Sequence, residues 1–167
     1  MNFDQVPAGA AIFLDANTLV YHCTNHPQYG AVSTRLVRLI EQGALVGFTS
    51  TDVLADVAHR VMTLEAVALN GWPYAGIAAW LRKHHYLIPK LTVFRQAIAS
   101  LPKLNIQVIP ITQTLLEAAT VASHQFELLT GDALVVAVIQ AHNLTHLASN
   151  DADFDRIPWL TRYEPRP

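Results

Sequence analysis

The chain has 167 residues, 51% of them hydrophobic, which is enough to bury a full core as one ordinary domain without disulfides or a structural metal. A formal charge of −2 gives no global signature of a nucleic-acid binder, and the single cysteine, Cys23, excludes an intramolecular disulfide and a zinc ribbon. The opening MNFDQVPAGA lacks a basic stretch followed by an apolar one, and no run reaches the roughly 18 apolar residues that span a bilayer. The expectation is a cytoplasmic protein, neither secreted nor held in a membrane.

Taken in chain order, AAIFLDA (10 to 16) reads as a buried strand ending in an aspartate, and VSTRLVRLIEQG (32 to 43) as a helix closed by Gly43. LVGFTS (45 to 50) is a second strand, and TDVLADVAHRVMTLEAVAL (51 to 69) a helix capped by Thr51 or Asp52. After the turn cluster NGWPYAG come two helical stretches, IAAWLRKHHYL and PKLTVFRQAIASL, the second opened by Pro89. IQVIPI (106 to 111) is a third strand, and TQTLLEAATVASHQF a helix in which Thr114 and Glu117 have capping-box spacing. LTGDALVVAVIQAHN (129 to 143) is a buried helix closed by Asn143, THLAS (145 to 149) a fourth strand, and RYEP a short edge strand.

Short buried strands alternating with helices predict an α/β fold, a small and mostly parallel sheet with helices on both faces. No repeat or linker divides the chain, so residues 1–167 are expected to form one domain, with a basic helical insertion over about 70–103. Between Glu65 and Glu117 there is no acidic residue, whereas Arg82, Lys83, Lys90, Arg95 and Lys103 lie there with His84 and His85. An amphipathic pair with a solvated basic face accounts for this as well as a binding surface does. A positive mean hydropathy with only 14% charged residues suggests that a partner covers some apolar surface, and a generous core is nearly as good an explanation.

In sheets of this kind ligands bind beyond the carboxyl ends of the strands, and that rule selects among the aspartates. Asp15 ends the first strand, Asp56 lies one turn into the helix after the second, Asp132 opens the helix after Gly131, and Asp151 follows the fourth strand in ASNDADFDRI. That segment is not a calcium loop: counted from Asp151, Arg156 and Arg162 stand where the loop needs glycine and glutamate. Taken singly, Asp15 is turn chemistry and Asp132 a helix cap, and Asp52 is read as a cap only. Asp56 lies among Val53, Leu54, Val57 and Val61, where an aspartate is expected to need a partner. Gathered on one rim, four carboxylates would raise one another's pKa unless a cation neutralised them, and an all-oxygen set suits Mg²⁺ or Mn²⁺.

LDANTLVY, STDVLADVAHRV and LTGDALVVAVIQAHNLTHLASNDADFDRI resemble, in order and spacing, the three blocks of PIN-domain proteins, especially the short prokaryotic VapC-type toxins. The resemblance implies a metal-dependent nuclease site acting on RNA. By position, Asp15, Asp56, Asp132 and Asp151 match the family's four acids. Asn17 and Ser149 match its orienting polar residues, and Asp153 falls where a further acid is often found. Phe154 is expected to anchor in the core and Asp155 to be a surface charge. The second acid is usually glutamate, so Asp56, one methylene shorter, is expected to reach a metal directly or through a water.

On this reading the chain is an Mg²⁺- or Mn²⁺-dependent endoribonuclease, with Asp15, Asp132 and Asp151 as direct ligands. Lys83, Lys90 and Arg95 are the candidates for contacts to the RNA backbone. A cognate antitoxin and a homodimer are the expected protein partners. A phosphatase of the haloacid dehalogenase kind is disfavoured, because Asn17 stands where its second aspartate belongs. The alternative is a PIN fold impaired in catalysis that binds protein or RNA.

Overall fold

The computed structural model describes residues 1–167. Five strands form one sheet: β1 (Ala11–Leu14), β2 (Val46–Ser50), β3 (Ile106–Ile109), β4 (His146–Ala148) and β5 (Thr161–Tyr163). Their order is β3-β2-β1-β4-β5 and every pairing is parallel. The helices are α1 (Ala16–Cys23), α2 (Gly30–Glu41), α3 (Thr51–Asn70), α4 (Ile77–Lys83), α5 (Val93–Ser100), α6 (Gln113–Phe126) and α7 (Thr130–Ala141).

Right-handed crossovers fix the layers. The chain steps from β1 to β2 to β3 in one direction, which puts α1 to α5 on one face, and then crosses back over the sheet to β4, which puts α6 and α7 on the other. Packing of α1 on α2 and α3, of α3 on α5, and of α6 on α7 agrees. Buried on both faces, β1 is the continuous apolar run expected of a central parallel strand: Ile12, Phe13 and Leu14 are wholly inaccessible. The reversal of strand order falls between β1 and β4, and β1 ends where Asp15 begins.

The strands and the layered architecture agree with expectation, and β5 is the short edge strand anticipated near RYEP. Four local details differ. α1 was not anticipated as a helix; Asp15 caps it by accepting from the Ala16 N–H at 2.7 Å. α3 is capped by Ser50, whose hydroxyl accepts from Val53 N–H, rather than by Thr51 or Asp52. Thr112, not Thr114, caps α6, and Glu117 instead accepts from the Gln113 amide. Pro89 does not open a helix: it sits within a 3₁₀ turn, His85–Lys90, and α5 begins at Val93. There the Glu65 carboxylate of α3 reaches across to the Thr92 and Val93 N–H groups, at 2.9 and 3.0 Å, and takes over the capping. A small apolar cluster of Ala66, Ile77, Leu81 and Leu91 seats α4 and the 3₁₀ turn on α3.

Candidate metal centre at the sheet switch point

The loop after β4 is tied to the start of α1 by a closed set of hydrogen bonds. Ser149 is fully buried and its hydroxyl donates to Asp15 Oδ2 at 2.7 Å while accepting from the Asp151 N–H at 3.0 Å. Asn17 donates its amide to the same Asp15 oxygen and to Ser149 Oγ, and its Oδ1 accepts from the Asn150 N–H at 3.0 Å. Thr18, also buried, donates to the Ala148 carbonyl at 2.9 Å. Asp15 N–H donates to Ala148 O at 3.1 Å, continuing the β1–β4 ladder into the site. Asn17 and Ser149 therefore tie Asp15 to the Asp151 loop.

Asp132, Asp151 and Asp153 converge, each offering an oxygen within 4.8 Å of the others. Asp132 lies in the first turn of α7, but its side chain caps nothing: Leu129 occupies the cap position and makes no side-chain bond there. The helix-cap explanation of Asp132 is thereby removed. Asp151 caps the 3₁₀ turn Ala152–Arg156 by accepting from Asp153 N–H at 2.9 Å, which aims the Asp153 side chain back toward the cluster. Burial, followed by the neighbouring charges of Asp151, Asp15 and Asp153, raises Asp132 from an ordinary 3.8 to about 6. Burial raises Asp15 as well, opposed by its bonds from Ser149 and Ala16 and by the Arg60 charge.

Asp56 lies apart from this cluster. Its side chain is 48% exposed and pairs with Arg60 one turn along α3, Nε to Oδ2 at 3.3 Å. The apolar surroundings expected for it are absent, because Val53, Val57 and Val61 form the buried stripe of α3 and Asp56 lies on its exposed flank. Arg60 was not singled out from the sequence, although its i, i+4 relation to Asp56 is legible there. Its charge reaches Asp15 and Asp132 and lowers the pKa of both.

Beyond the carboxylates, Phe154 is completely buried, as expected of an anchor. Asp155 is more than a surface charge. It makes a bidentate pair with Arg162 at 2.8 Å, and Arg162 donates to the Ser149 carbonyl at 3.1 Å, so the pair braces the acidic loop from behind. Asp153 also binds Arg156 at 2.8 Å. Lys83, Lys90 and Arg95 are exposed on the α4–α5 segment and join no ion pair.

The donor set fits a hard divalent cation. All of its members are carboxylates, their oxygens lie close enough to share one ion, and burial with mutual repulsion, which raises Asp132, is what a cation would offset. No cysteine or histidine enters the cluster, which argues against a zinc site.

Comparison with known proteins agrees with this architecture. The family model described as the PIN domain matches residues 12–160. No curated protein matches in sequence. Among solved structures, VapC20 of Mycobacterium tuberculosis, described as a Sarcin-Ricin loop cleaving toxin, aligns with a TM-score of 0.60 at 18% identity, over 89% of this chain and 96% of that one. VapBC2 from Rickettsia felis, bound to a DNA fragment from their promoter, aligns with a TM-score of 0.58 at 17% identity, over 92% of this chain and 98% of that one. A toxin-antitoxin complex from Klebsiella pneumoniae aligns at 0.50 and 19% identity, over 91% and 96%. With a family match across nearly its whole length and VapC-type structures as its neighbours in fold, the chain belongs to the PIN-domain family.

Proposed function

We propose that this protein is a metal-dependent endoribonuclease, a hydrolase acting on RNA phosphodiesters, and the toxin of a toxin-antitoxin pair. The convergence of Asp132, Asp151 and Asp153 beside the braced Asp15, at the carboxyl ends of β1 and β4, carries the reading. Asp132, Asp151 and Asp153 would hold Mg²⁺ or Mn²⁺, with Asp15 completing the set, and Asp56 would join directly or through a water. Such an ion, when bound, lowers the pKa of a water and offsets charge on the phosphate. Asn17 and Ser149 keep Asp15 and Asp151 oriented, so that the carboxylates need not reorganise when substrate arrives. Arg60, beside the carboxylates and only loosely held by Asp56, can turn toward a phosphate oxygen. In the overall reaction water adds to phosphorus, the P–O bond to the leaving ribose oxygen breaks, and that oxygen takes a proton.

Lys83, Lys90 and Arg95 would meet the backbone of the same RNA, a contribution that weakens as salt rises. The partner proposed for the acidic rim is a small antitoxin protein that sets a basic side chain among the carboxylates; the VapBC and Klebsiella neighbours, as protein pairs, support it. A homodimer is proposed as the oligomeric state. The second reading, a PIN fold that binds without cutting, draws on the Asp56–Arg60 pair, in which the cation of the chain itself occupies the second acid.

The two readings separate in a cleavage assay on RNA with Mg²⁺ or Mn²⁺. Wild type should cut, Asp15→Asn and Asp132→Asn should lose about 100-fold or more, and Ser149→Ala about 10-fold to 100-fold through misorientation. Equal cutting by all four chains, or cutting that survives EDTA, would remove the nuclease reading; binding of RNA without cutting in any metal would favour the second.

A further inference from the structure

The α4 segment carries a feature that the acidic centre does not use. Trp72, Trp80 and His84 form a mutually contacting trio: Trp72 and Trp80 have ring centroids 5.5 Å apart at 27°, Trp80 and His84 5.7 Å apart at 12°, and Trp72 and His84 5.1 Å apart at 39°. Trp80 and His84 are one turn apart on α4, and the His84 ring is fixed by Nδ1 against the Trp80 carbonyl at 2.9 Å. The trio is only partly buried. Trp80 is 39% exposed, and Tyr86, edge-on to His84, is 60% exposed. Ile77 and Leu81 seat α4 on α3, and Trp72 packs against that same small cluster, so it backs the other two rings from the core side.

The charges around it are of one sign. No acid lies between Glu65 and Glu117, and Glu65 itself is engaged in capping α5. Arg82, Lys83, Lys90 and Arg95 are exposed and none takes part in an ion pair, whereas Arg35, Arg60, Arg156, Arg162 and Arg166 all do. Unpaired cations on the segment that carries an exposed, backed ring are the two components of a surface for unpaired nucleotides: the cations meet the phosphates, and Trp80, held by Trp72 and His84, stacks on a base.

From this placement we propose that Trp72, Trp80 and His84 form a stacking platform for unpaired bases of an RNA strand, with Arg82, Lys83 and Lys90 holding its phosphates. Asn70, which ends α3 just before Trp72, lies 14 residues beyond Asp56, about 21 Å along the helix. The platform is therefore a second contact on the RNA, remote from the bond that is cut, and it selects for a single-stranded stretch flanking the cleavage position. The assignment of RNA rests on the proposed ribonuclease function, but the binding can be measured without cleavage.

The test uses full-length protein carrying Asp132→Asn in EDTA and a fluorescein-labelled oligoadenylate of about ten nucleotides, read by anisotropy and by quenching of tryptophan fluorescence. Trp80→Ala should weaken binding by about 10-fold to 100-fold, the usual worth of one stacked base. Trp80→Phe should recover much of that loss, and a blunt RNA duplex of equal length should bind more weakly than the single strand. Unchanged affinity in Trp80→Ala, or equal affinity for duplex and strand, would overturn the platform. So would a concentration-dependent self-association that Trp80→Ala abolishes, or a preference for anionic vesicles over the oligonucleotide. If the strand binds in a Trp80-dependent manner but the wild type cuts no RNA in any metal, the platform stands and the nuclease reading falls.

Discussion

At the scale of single residues, Asp132 has the most informative chemistry. Its pKa in the fold, about 6, lies above the ordinary 3.8, so the folded chain holds this proton more tightly than the unfolded one. The stabilisation from protonation is therefore present below about pH 3.8 and is lost as pH rises to about 6. Asp15 is raised too and acts in the same direction. Asp155 and Glu164 are lowered by their bonds from Arg162 and Arg166, so their contribution declines only as pH falls below the ordinary carboxylate range, a separate window. Without added metal, stability should decline between about pH 4 and 6, and Asp132→Asn should flatten that decline. The gap from 3.8 to about 6 would be ~3 kcal/mol for a fully sequestered group; solvent reaches part of Asp132, so about 1 kcal/mol of stabilisation is expected at pH 7. Urea titrations at pH 4, 5, 6 and 7 read this directly, and a variant less stable than wild type at pH 7 would contradict it. Asp56 gives the complementary prediction: Asp56→Glu restores the missing methylene, so cleavage should be at least as fast as wild type, and slower cleavage would mean that the pair with Arg60 matters more than reach.

At the scale of elements, the strands were legible because each is a short apolar run between breakers, and the caps were not, because they depend on which of several adjacent hydroxyls points inward. Ser50, Thr51 and Asp52 all suit an N-cap, and Ser50 takes the role because its backbone is still extended, at φ −125° and ψ 163°, where the helix begins. α1 is hard to read from the sequence because Ala16–Cys23 is only two turns long and its capping residue, Asp15, also reads as the end of β1. Gly47 shows how tightly α2 is set against the sheet. A Cβ there would lie 2.7 Å from Ile40 Cγ2 and 2.9 Å from Cδ1, so α2 rests directly on the β2 backbone. Gly47→Ala should cost about 1–3 kcal/mol by overpacking. In a double-mutant cycle with Ile40→Ala, the pair should be less destabilised than the sum of the two by at least ~0.5 kcal/mol. Strict additivity would mean that the added methyl is accommodated by backbone movement elsewhere.

At the scale of the whole molecule, Asp15, Asp132 and Asp151 could be chosen from a sequence because parallel α/β folds bring strand ends to one rim, whatever the distance along the chain. The brace behind them could not: Arg162 reaches the Ser149 carbonyl because β5 lies parallel to β4, which no spacing announces. The fold thus assembles mutually repelling carboxylates on a rigid frame, and a bound cation should release that repulsion. At 100 times its dissociation constant an ion that binds only the folded chain adds about 2.7 kcal/mol, or roughly 5–10 °C in Tm for a protein of this size. Mg²⁺ or Mn²⁺ should accordingly raise Tm at pH 7.5. The shift should shrink at pH 5, where Asp132 with its pKa of about 6 is mostly protonated and the ion must displace that proton. It should also shrink in Asp132→Asn at either pH, while Asp155→Asn, which loosens the brace and leaves the cluster intact, should lower Tm yet keep most of the metal-dependent rise. A rise of equal size in wild type and Asp132→Asn would place the ion elsewhere on the surface, and a rise unaffected by pH would mean that Asp132 is not among its ligands.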